Sequence, residues 1–303
     1  MEFKLLILGS SSALPTVKRN LPAQILSYNN KPFLIDCGEG TQLQLRKHNI
    51  SFNKIDHIFI SHLHGDHFYG IFGFLGTMGL LGRKKPLHIF SPYGLEEIIN
   101  SVFEKTNSEI PFPIKYHILN TKQPEIILTT KWLEINSFPL KHSKPVCGFI
   151  FKEKEKPANI IKEKIEEYNI GISEIVKIKN GAKLKLASGK EIENSELVYP
   201  KPKLRSYAYC TDTKFVAKNY KPLKDIDVLY HEATFAEADK QTAHNTGHST
   251  ATEAAKAAIE INAKLLLLGH FSSRYKSNTH IIEEAKSIFK NTIGVEDGDY
   301  FEI

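Results

Sequence analysis

The chain has few cysteines and no long apolar run. Cys37, Cys147 and Cys210 are an odd, scattered set without Cys-x-x-Cys spacing, so neither a disulfide framework nor a thiolate zinc site is indicated. No apolar stretch approaches the roughly 20 residues that a membrane span needs. The N-terminus runs directly into a predicted strand and lacks the architecture of a signal peptide. We therefore expect a soluble protein of a reducing, cytoplasmic compartment, without a membrane partner.

The length and charge of the chain restrict its class only loosely. At 303 residues it is long enough for one large α/β domain or two smaller ones. The formal net charge is +6 at pH 7 and the sequence pI is about 8.9. This mild excess suits an anionic partner, but a lysine-rich protein without such a partner accounts for it equally well.

Strand and helix patterns alternate along the chain. Short apolar runs bounded by turn residues predict strands, and apolar residues at helical spacing predict helices. Such alternation indicates α/β layers rather than an all-β sandwich. The predicted strands are 3–8, 23–28, 32–35, 55–60, 87–90 and 132–140, and the predicted helices are 41–47 and 94–103.

A histidine-rich loop follows one of the predicted strands. The segment Ser61–His67 places three imidazoles and a carboxylate directly after the apolar run 55–60. Neutral imidazole and carboxylate are ligands that zinc accepts, and a loop can aim His62 and His64 at one ion and Asp66 and His67 at another. A solvated histidine-rich turn is the alternative, but alternation with Leu and Gly behind a strand favours the metal site.

Three later predicted strands each end in one possible ligand. His142 follows 132–140, Asp212 lies at the end of 207–213, and His270 follows 265–269. A lone histidine is more often structural, but the repeated placement at a strand end favours all three as ligands. Asp36 ends another strand and is either an acceptor for a ligand imidazole or a helix N-cap. The remaining histidines without this context are predicted to be structural or solvated: His48, His57, His88, His117 and His280.

An insertion at about 152–204 is rich in Lys and Glu. A short charged helix is predicted at 158–168, followed by a hairpin at 175–186 around Asn180-Gly181. The alternating pattern favours a three-residue loop in which Lys177 faces Lys183 across the strands, which makes one face apolar and the other basic. Like charges across strands are destabilising, so this face is either a binding surface for a polyanion or simply solvated.

The motifs resemble a known superfamily and one family within it. The string His-x-His-x-Asp-His resembles the signature of the metallo-β-lactamase fold, which covers lactamases, thioesterases, sulfatases and nucleases. The full series resembles the ribonuclease Z family of tRNA 3′-end endonucleases. That series consists of Pro15-Thr16-x-x-Arg19-Asn20, the histidine loop, Thr211-Asp212-Thr213, His231-Glu232-Ala233-Thr234-Phe235, Gly247-His248-Ser249-Thr250 and Gly269-His270-Phe271-Ser272-Ser273-Arg274-Tyr275.

The resemblance implies a four-layer αββα sandwich with two zinc ions per subunit. It implies a single domain, 1–303, with a flexible tRNA-binding arm inserted at about 152–204. The implied ligands are His62, His64 and His142 for one zinc, Asp66, His67 and His270 for the other, and Asp212 as the bridge. Asp66 is also expected to orient or deprotonate the attacking water, His248 to act as the general acid and Glu232 to hold the imidazole of His248. A structural salt bridge is the alternative for Glu232.

The resemblance also implies the substrate and the residues that bind it. Removal of the 3′ trailer from precursor tRNA is expected, by a homodimer. The expected phosphate and tRNA contacts are Thr16, Arg19, Asn20, Ser272, Ser273, Arg274, Lys177, Lys183 and Lys185. The arm departs from the family pattern, because Asn169-Ile170-Gly171-Ile172-Ser173 stands where a Gly-Pro-rich turn is usual. The alternatives are another dinuclear-zinc hydrolase, such as an arylsulfatase or phosphodiesterase, and a non-catalytic RNA-binding subunit.

Overall fold

Two mixed β-sheets organise residues 2–303, the part of the chain that the computed structural model describes. A third sheet consists of only two strands. The strands are β1 Phe3–Gly9, β2 Ala23–Tyr28, β3 Lys31–Ile35, β4 His57–Phe59, β5 Leu87–Ser91, β6 Ile114–Ile118, β7 Glu125–Thr129, β8 Leu133–Pro139, β9 Cys147–Glu153, β10 Leu184–Lys185, β11 Glu191–Ile192, β12 Ser206–Cys210, β13 Val228–Glu232, β14 Leu265–Gly269, β15 Thr292–Gly294 and β16 Tyr300–Glu302.

The first sheet has the order β16-β1-β2-β3-β4-β5-β6 and the second β15-β14-β13-β12-β9-β8-β7. In the first sheet, β3, β4, β5 and β6 run parallel, and in the second β12, β13, β14 and β15 do. The carboxyl ends of neighbouring parallel strands meet at one edge of a sheet. Polar residues that follow different strands are therefore brought close together there.

Helices cover the outer faces of both sheets. The helices are α1 Thr41–Lys47, α2 Gly65–Phe68, α3 Gly70–Leu80, α4 Leu95–Lys105, α5 Lys162–Glu167, α6 Ile172–Lys179, α7 Asn194–Leu197, α8 Lys240–Thr246, α9 Ala251–Glu260 and α10 Thr279–Lys286. Apolar residues of α1, α3 and α4 pack in one core with the first sheet, and those of α9 and α10 pack in another with the second. No helix within residues 2–303 combines the length and apolarity that crossing a membrane would require.

Aromatic rings fill the space between the two large sheets. Phe59 of β4 lies 5.6 Å from both Phe149 and Phe151 of β9, measured between ring centroids, and Phe33 of β3 lies 6.1 Å from Phe151. These rings are almost fully buried. Burial of such large apolar surfaces is a dominant stabilising contribution in a sandwich. The predicted αββα sandwich is confirmed.

The chain divides into two compact units. The larger contains the residues up to Leu128, Ile135–Phe151 and Ser206–Ile303, and the smaller contains Thr129–Glu134 and Lys152–Arg205. The smaller unit has its own apolar core, to which Ile178, Leu184, Ile192 and Leu197 contribute. We refer to it below as the arm unit.

The hairpin predicted at 175–186 is wrong. Most of its first half is helix α6, and its second half pairs with β11 instead, with Leu184 opposite Ile192. The side chain of Glu174 accepts a hydrogen bond from the backbone of Gly171 at 3.0 Å, which closes the start of the helix. The Asn180-Gly181 pair ends that helix: Gly181 has φ +101°, a conformation that suits a helix C-terminus as well as a hairpin turn.

The basic face predicted from that hairpin is therefore also wrong. Lys177 lies on α6 and does not face Lys183 across a strand pair. Lys183 Nζ lies 2.6 Å from a carboxylate oxygen of Glu193, and Lys185 is opposite Glu191 in the β10–β11 register. The predicted helix 158–168 is shorter than expected, because α5 spans only Lys162–Glu167 and Ile160 pairs with Val198 in an isolated bridge. The three cysteines are buried free thiols.

Candidate metal centre

Ligand-type side chains from four strand ends lie together in the larger unit. His62 and His64 follow β4, and Asp66 and His67 belong to the short helix α2, which begins directly after His64. His142 follows β8, Asp212 follows β12 and His270 follows β14. Part of this set lines a cavity of about 710 Å³.

Three imidazoles and one carboxylate form the first group. His64 Nδ1 lies 3.0 Å from His62 Nε2 and 3.1 Å from His142 Nε2. Asp212 Oδ2 lies 3.4 Å from His62 Nε2 and 3.6 Å from His142 Nε2. Ligand atoms on a tetrahedral zinc with ordinary bond lengths are roughly 3.3 Å apart, so these four atoms fit one ion. Burial lowers the pKa of His62 to about 4, which keeps this imidazole in the neutral form that binds metal.

The second group contains Asp66, His67 and His270. Asp66 Oδ2 lies 3.5 Å from His67 Nε2 and 3.8 Å from His270 Nε2. Both Nε2 atoms are buried and neither makes a well-aligned hydrogen bond, which is costly unless a cation or a proton lies beside them. Burial lowers the pKa of His270, but Asp212 and Asp66 outweigh burial and raise it to about 10. The electrostatic field of this group therefore favours a cation strongly.

Asp212 connects the two groups. Its Oδ2 atom faces the first group, whereas its Oδ1 atom lies 3.2 Å from His67 Nε2 and 3.0 Å from His270 Nε2. Burial raises the pKa of this carboxyl, yet the surrounding imidazoles hold it well below its usual range. Asp212 and His270 both have a positive φ, at 21° and 58°, which non-glycine residues rarely adopt. Backbone strain of this kind is typical of functional sites.

Asp36 orients one of the second group's imidazoles. It ends β3, beside β4, and its Oδ2 atom accepts hydrogen bonds from His67 Nδ1 at 2.7 Å and from the hydroxyl of Tyr209 at 2.7 Å. Ser61 donates its backbone N–H to Oδ1 at 2.7 Å. With Nδ1 protonated, His67 presents its free Nε2 to the metal site. Of the two roles predicted for Asp36, support of an imidazole is confirmed and the helix N-cap is wrong, because Gly40 precedes α1.

Backbone and hydroxyl groups orient two other imidazoles. His142 Nδ1 donates to the carbonyl oxygen of Gly247 at 2.8 Å, and His270 Nδ1 donates to the hydroxyl oxygen of Thr234 at 2.9 Å. Thr234 in turn donates to Glu232 Oε2 at 2.6 Å. The sequence motif contains Thr234, but nothing in the residue pattern alone predicts this bond. These contacts fix Nε2 as the metal-facing nitrogen of both rings.

His248 lies at the same cavity, held by Glu232. The Nδ1 atom of His248 donates to Glu232 Oε1 at 2.9 Å, and the backbone N–H of Thr213 donates to the same oxygen at 2.8 Å. Burial lowers the pKa of His248, but Glu232 and Asp212 outweigh burial and raise it above the ordinary value. Asp212, His248 and His270 also have ligand atoms within 4.8 Å of one another. Geometry alone therefore permits His248 as a metal ligand in place of an acid.

The residues predicted to bind phosphate are divided between two cavities. Ser272 lines the cavity of the metal centre, whereas Thr16, Arg19 and Ser273 line a second one of about 560 Å³. One guanidinium nitrogen of Arg19, Nη1, is buried without a hydrogen-bond partner, which is uncommon for a charged group. Thr16 accepts hydrogen bonds from the backbone N–H of Arg19 at 2.9 Å and of Lys18 at 3.3 Å, which closes its own turn.

Two other predicted phosphate contacts are already bonded within the protein. Asn20 donates its backbone N–H and its side-chain amide to Asp297 Oδ2 at 2.6 Å and 2.8 Å. Arg274 Nη1 lies 3.3 Å from Asp239 Oδ1, and its guanidinium carbon lies 4.7 Å from the centroid of the Phe235 ring. Asp297 was not predicted from the sequence, because an acidic residue in a turn near the C-terminus carries no distinctive signal.

Known proteins are similar to this chain in sequence and in fold. Ribonuclease Z of Bacteroides fragilis is 41% identical over 292 residues, which are 96% of this chain and 96% of that protein. The short form of human tRNase Z has a crystal structure with a TM-score of 0.71 and 25% identity, covering 98% of both chains. The metallo-β-lactamase fold protein YhfI from Bacillus subtilis has a TM-score of 0.70 and 18% identity over the full length of both, which supports the fold.

A family model also matches part of the chain. The model described as anti-Pycsar protein Apyc1 matches residues 3–111, which include the histidine-rich loop but none of the later strand ends. The relatives at about 41% identity extend over nearly the whole chain and include all of the strand ends described above. The chain belongs to the ribonuclease Z family.

Proposed function

We propose that this centre hydrolyses the phosphodiester bond that joins tRNA to its 3′ trailer, at two zinc ions. As a member of the ribonuclease Z family the protein is an endoribonuclease that processes tRNA 3′ ends. The products are a 3′-hydroxyl on the tRNA and a 5′-phosphate on the trailer. The position of Asp212 carries the proposal, because its two oxygens face two separate groups of ligand atoms. A pair of adjacent cations suits in-line displacement at phosphorus.

Zinc fits the donor set. The centre offers only imidazole nitrogen and carboxylate oxygen, and the cysteines lie elsewhere in the core. In the proposed assignment three residues of its own would hold each ion, and Asp212 would contribute to both sites. The ligands are His62, His64 and His142 for one ion and Asp66, His67 and His270 for the other. When bound, such ions stabilise charge on the phosphoryl oxygens and make water nucleophilic near neutral pH.

His248 is the proposed general acid. Hydrolysis forms one bond from a water oxygen to phosphorus and breaks the bond to the ribose 3′-oxygen, which leaves with a proton. His248 lines the cavity, and its Nδ1 is committed to Glu232, so Nε2 is the atom that would carry this proton. Glu232 is the proposed positioning residue: it fixes the tautomer and raises the pKa of His248, so that the proton is retained until the bond breaks.

Asp66 is the proposed group that orients the attacking water. Its Oδ2 atom accepts a hydrogen bond from the backbone N–H of Ala13 at 3.0 Å, which fixes the carboxylate against the loop that follows β1. Burial raises the pKa of Asp66, but His67 and His270 outweigh burial and lower it below the usual range. The carboxylate is therefore ionised and able to accept a hydrogen bond from the attacking water, which orients the water.

Precursor tRNA is the proposed macromolecular substrate of the whole chain. The net charge of +6 suits an anionic partner, and the arm unit displays exposed lysines, among them Lys177. Ser272, Ser273 and Arg19 are the proposed phosphate contacts near the cut. A homodimer and a cytoplasmic location are proposed on the family resemblance.

One incubation tests the function directly. Purified protein is mixed with a precursor tRNA that carries a 3′ trailer, with zinc or with excess chelator, and both product ends are mapped. We expect one cut at the end of the tRNA sequence, a 3′-hydroxyl on the tRNA, a 5′-phosphate on the trailer, and no cut with chelator. Persistent cleavage in chelator, or the absence of any cut with zinc, contradicts the proposal. Hydrolysis of an aryl sulfate but not of RNA would instead favour the sulfatase alternative.

A further inference from the structure

Two aromatic side chains other than histidine line the cavity of the metal centre, and only one has a free face. Phe235 is 5% exposed, and the guanidinium group of Arg274 lies over its ring at 4.7 Å. Tyr69 is 59% exposed and lines the same cavity. The exposed ring of Tyr69 therefore borders the same cavity as several of the proposed metal ligands.

Protein atoms contact one side of the Tyr69 ring. A Cβ atom added to Gly65 would lie 2.3 to 2.8 Å from three ring atoms of Tyr69, so the ring rests directly on the backbone of this glycine. Gly65 stands between His64 and Asp66, two of the proposed metal ligands. The ring of Phe68 meets Tyr69 edge-on, with centroids 4.9 Å apart at 69°. One side of the Tyr69 ring is therefore supported by protein and the other is open to the cavity.

We propose that Tyr69 is a stacking platform for the nucleobase next to the scissile phosphate. The inference rests on the proposed function, because a phosphodiester at the metal centre brings a base on each side of it into this cavity. Aromatic rings stack on every base, and truncation of such a ring to alanine typically weakens binding about five- to a hundredfold. Stacking would orient the RNA strand at the reacting phosphorus without reading its sequence.

Three substitutions distinguish stacking of the Tyr69 ring on a base from simple shielding of the Gly65 backbone by an apolar side chain. Tyr69→Phe keeps the ring, Tyr69→Leu keeps an apolar cover but has no aromatic face, and Tyr93→Leu is the matched control. Tyr93 is 71% exposed and lies outside this cavity. We expect kcat/KM on precursor tRNA to fall about five- to a hundredfold only in Tyr69→Leu. Zinc content should equal that of the wild type in all three proteins; loss of zinc in Tyr69→Leu would show that the ring serves the ligand loop and would overturn the proposal.

Base substitution in the RNA tests the contact itself. Precursors are made with an abasic nucleotide on either side of the scissile phosphate and cut by zinc-loaded wild type and Tyr69→Leu. We expect one abasic site to slow the wild type about as much as Tyr69→Leu does, and to have little further effect on the variant. With 2-aminopurine at that position, binding should quench fluorescence in the wild type and Tyr69→Phe, before the bond is cut, but not in Tyr69→Leu.

The outcomes distinguish this inference from the proposed function. If the wild type does not cut the unmodified precursor, the proposed function itself fails. If the wild type cuts it but the effects of the abasic site and of Tyr69→Leu multiply independently, only the stacking role of Tyr69 is refuted. Equal quenching in the wild type and Tyr69→Leu also refutes it.

Discussion

Glu232 accepts a hydrogen bond from His248 Nδ1 at 2.9 Å, and the carboxylate is fully buried. Its other oxygen accepts from the hydroxyl of Thr234, so the same carboxylate is coupled to the imidazole of His270. Glu232 therefore has more than the salt-bridge role considered for it, since it lies between the proposed acid and a proposed metal ligand. Replacing it disturbs both.

His248→Ala tests the identity of the acid. We expect turnover of precursor tRNA to fall by about 10²–10⁴, with unchanged zinc content, because only proton transfer to the leaving oxygen is lost. His244→Ala is the matched control, since His244 pairs with Glu253 at 2.7 Å and does not line the cavity. Turnover and zinc per chain are measured for both variants. Loss of zinc together with activity in His248→Ala would make His248 a ligand, as its distance to Asp212 and His270 permits.

Glu232→Gln tests the positioning role. The glutamine side chain keeps an oxygen that can accept the hydrogen bond from His248. Its NH₂ group then faces the backbone N–H and the hydroxyl of Thr234, so a buried donor loses its acceptor. We expect turnover to fall by about tenfold or more and the free energy of unfolding by about 1–3 kcal/mol. Both are measured on the zinc-loaded protein. Unchanged turnover despite lower stability would show that Glu232 has a purely structural role.

Metal content distinguishes the bridge from the other ligands. Asp212→Ala removes a donor from both groups, whereas His142→Ala removes one donor from the first group only. We expect Asp212→Ala to bind less than one zinc per chain and His142→Ala to keep the ion of the second group. Zinc is measured by elemental analysis after dialysis. Since metal binds only the folded chain, chelator should also lower the Tm of the wild type more than that of Asp212→Ala. Two ions retained in Asp212→Ala would contradict its bridging role.

The part of the site at strand ends was predictable from the sequence, whereas its supporting contacts were not. His142 and His270 each follow an apolar strand, so the pattern places them at a sheet edge where ligands converge. The bond from His142 to the Gly247 carbonyl joins residues 105 positions apart and leaves no periodicity in the sequence. Asp297 likewise supports Asn20 over 277 positions.

The arm unit shows where local patterns are ambiguous. The residues Val176-Lys177-Ile178-Lys179 alternate as a strand does, but Ile175 and Ile178 are also three apart, on one face of a helix. The hydrogen bond from the Gly171 backbone to Glu174 at the start of the helix and the burial of Ile178 favour the helix. An Asn-Gly pair fits a hairpin turn and a helix end equally well, so local chemistry could not choose between them.

The exposed lysines of the arm unit give a test of tRNA binding away from the metal centre. Within residues 2–303 no carboxylate pairs with Lys177, whereas Lys183 pairs with Glu193 at 2.6 Å and Lys185 lies opposite Glu191. We expect Lys177→Gln to weaken tRNA binding most and to reduce the slope of log affinity against log salt by about one. Hydrolysis of bis-p-nitrophenyl phosphate should stay within about twofold of the wild type. An equal loss on both substrates would refute the role of the arm unit.

Glu153 and Arg205 form a partly buried ion pair in the arm unit. Glu153 Oε2 accepts the backbone N–H and the Nε of Arg205, both at 3.0 Å, and Oε1 accepts Nη2 at 2.9 Å. Burial raises the pKa of Glu153, but the bonds to Arg205 outweigh burial and lower it to about 2. Because the pKa of Glu153 is lower in the folded chain than in the unfolded chain, ionised Glu153 stabilises the fold above about pH 4.5. This contribution is lost as the pH falls towards 2.

Glu153→Gln should therefore destabilise the protein in a pH-dependent way. The shift from 4.5 to about 2 sets an upper bound of about 3 kcal/mol at neutral pH, which solvent screening of the partly exposed Arg205 reduces, and less than half of this contribution remains near pH 3. Urea unfolding of wild type and variant at about pH 6 and about pH 3 measures the difference between them, which should shrink at the lower pH. Glu155→Gln is the matched control, because Glu155 pairs with Lys201 at the surface and such exposed pairs contribute at most about 1 kcal/mol. A difference that stays constant with pH would mean that Glu153 acts through packing and not through its charge.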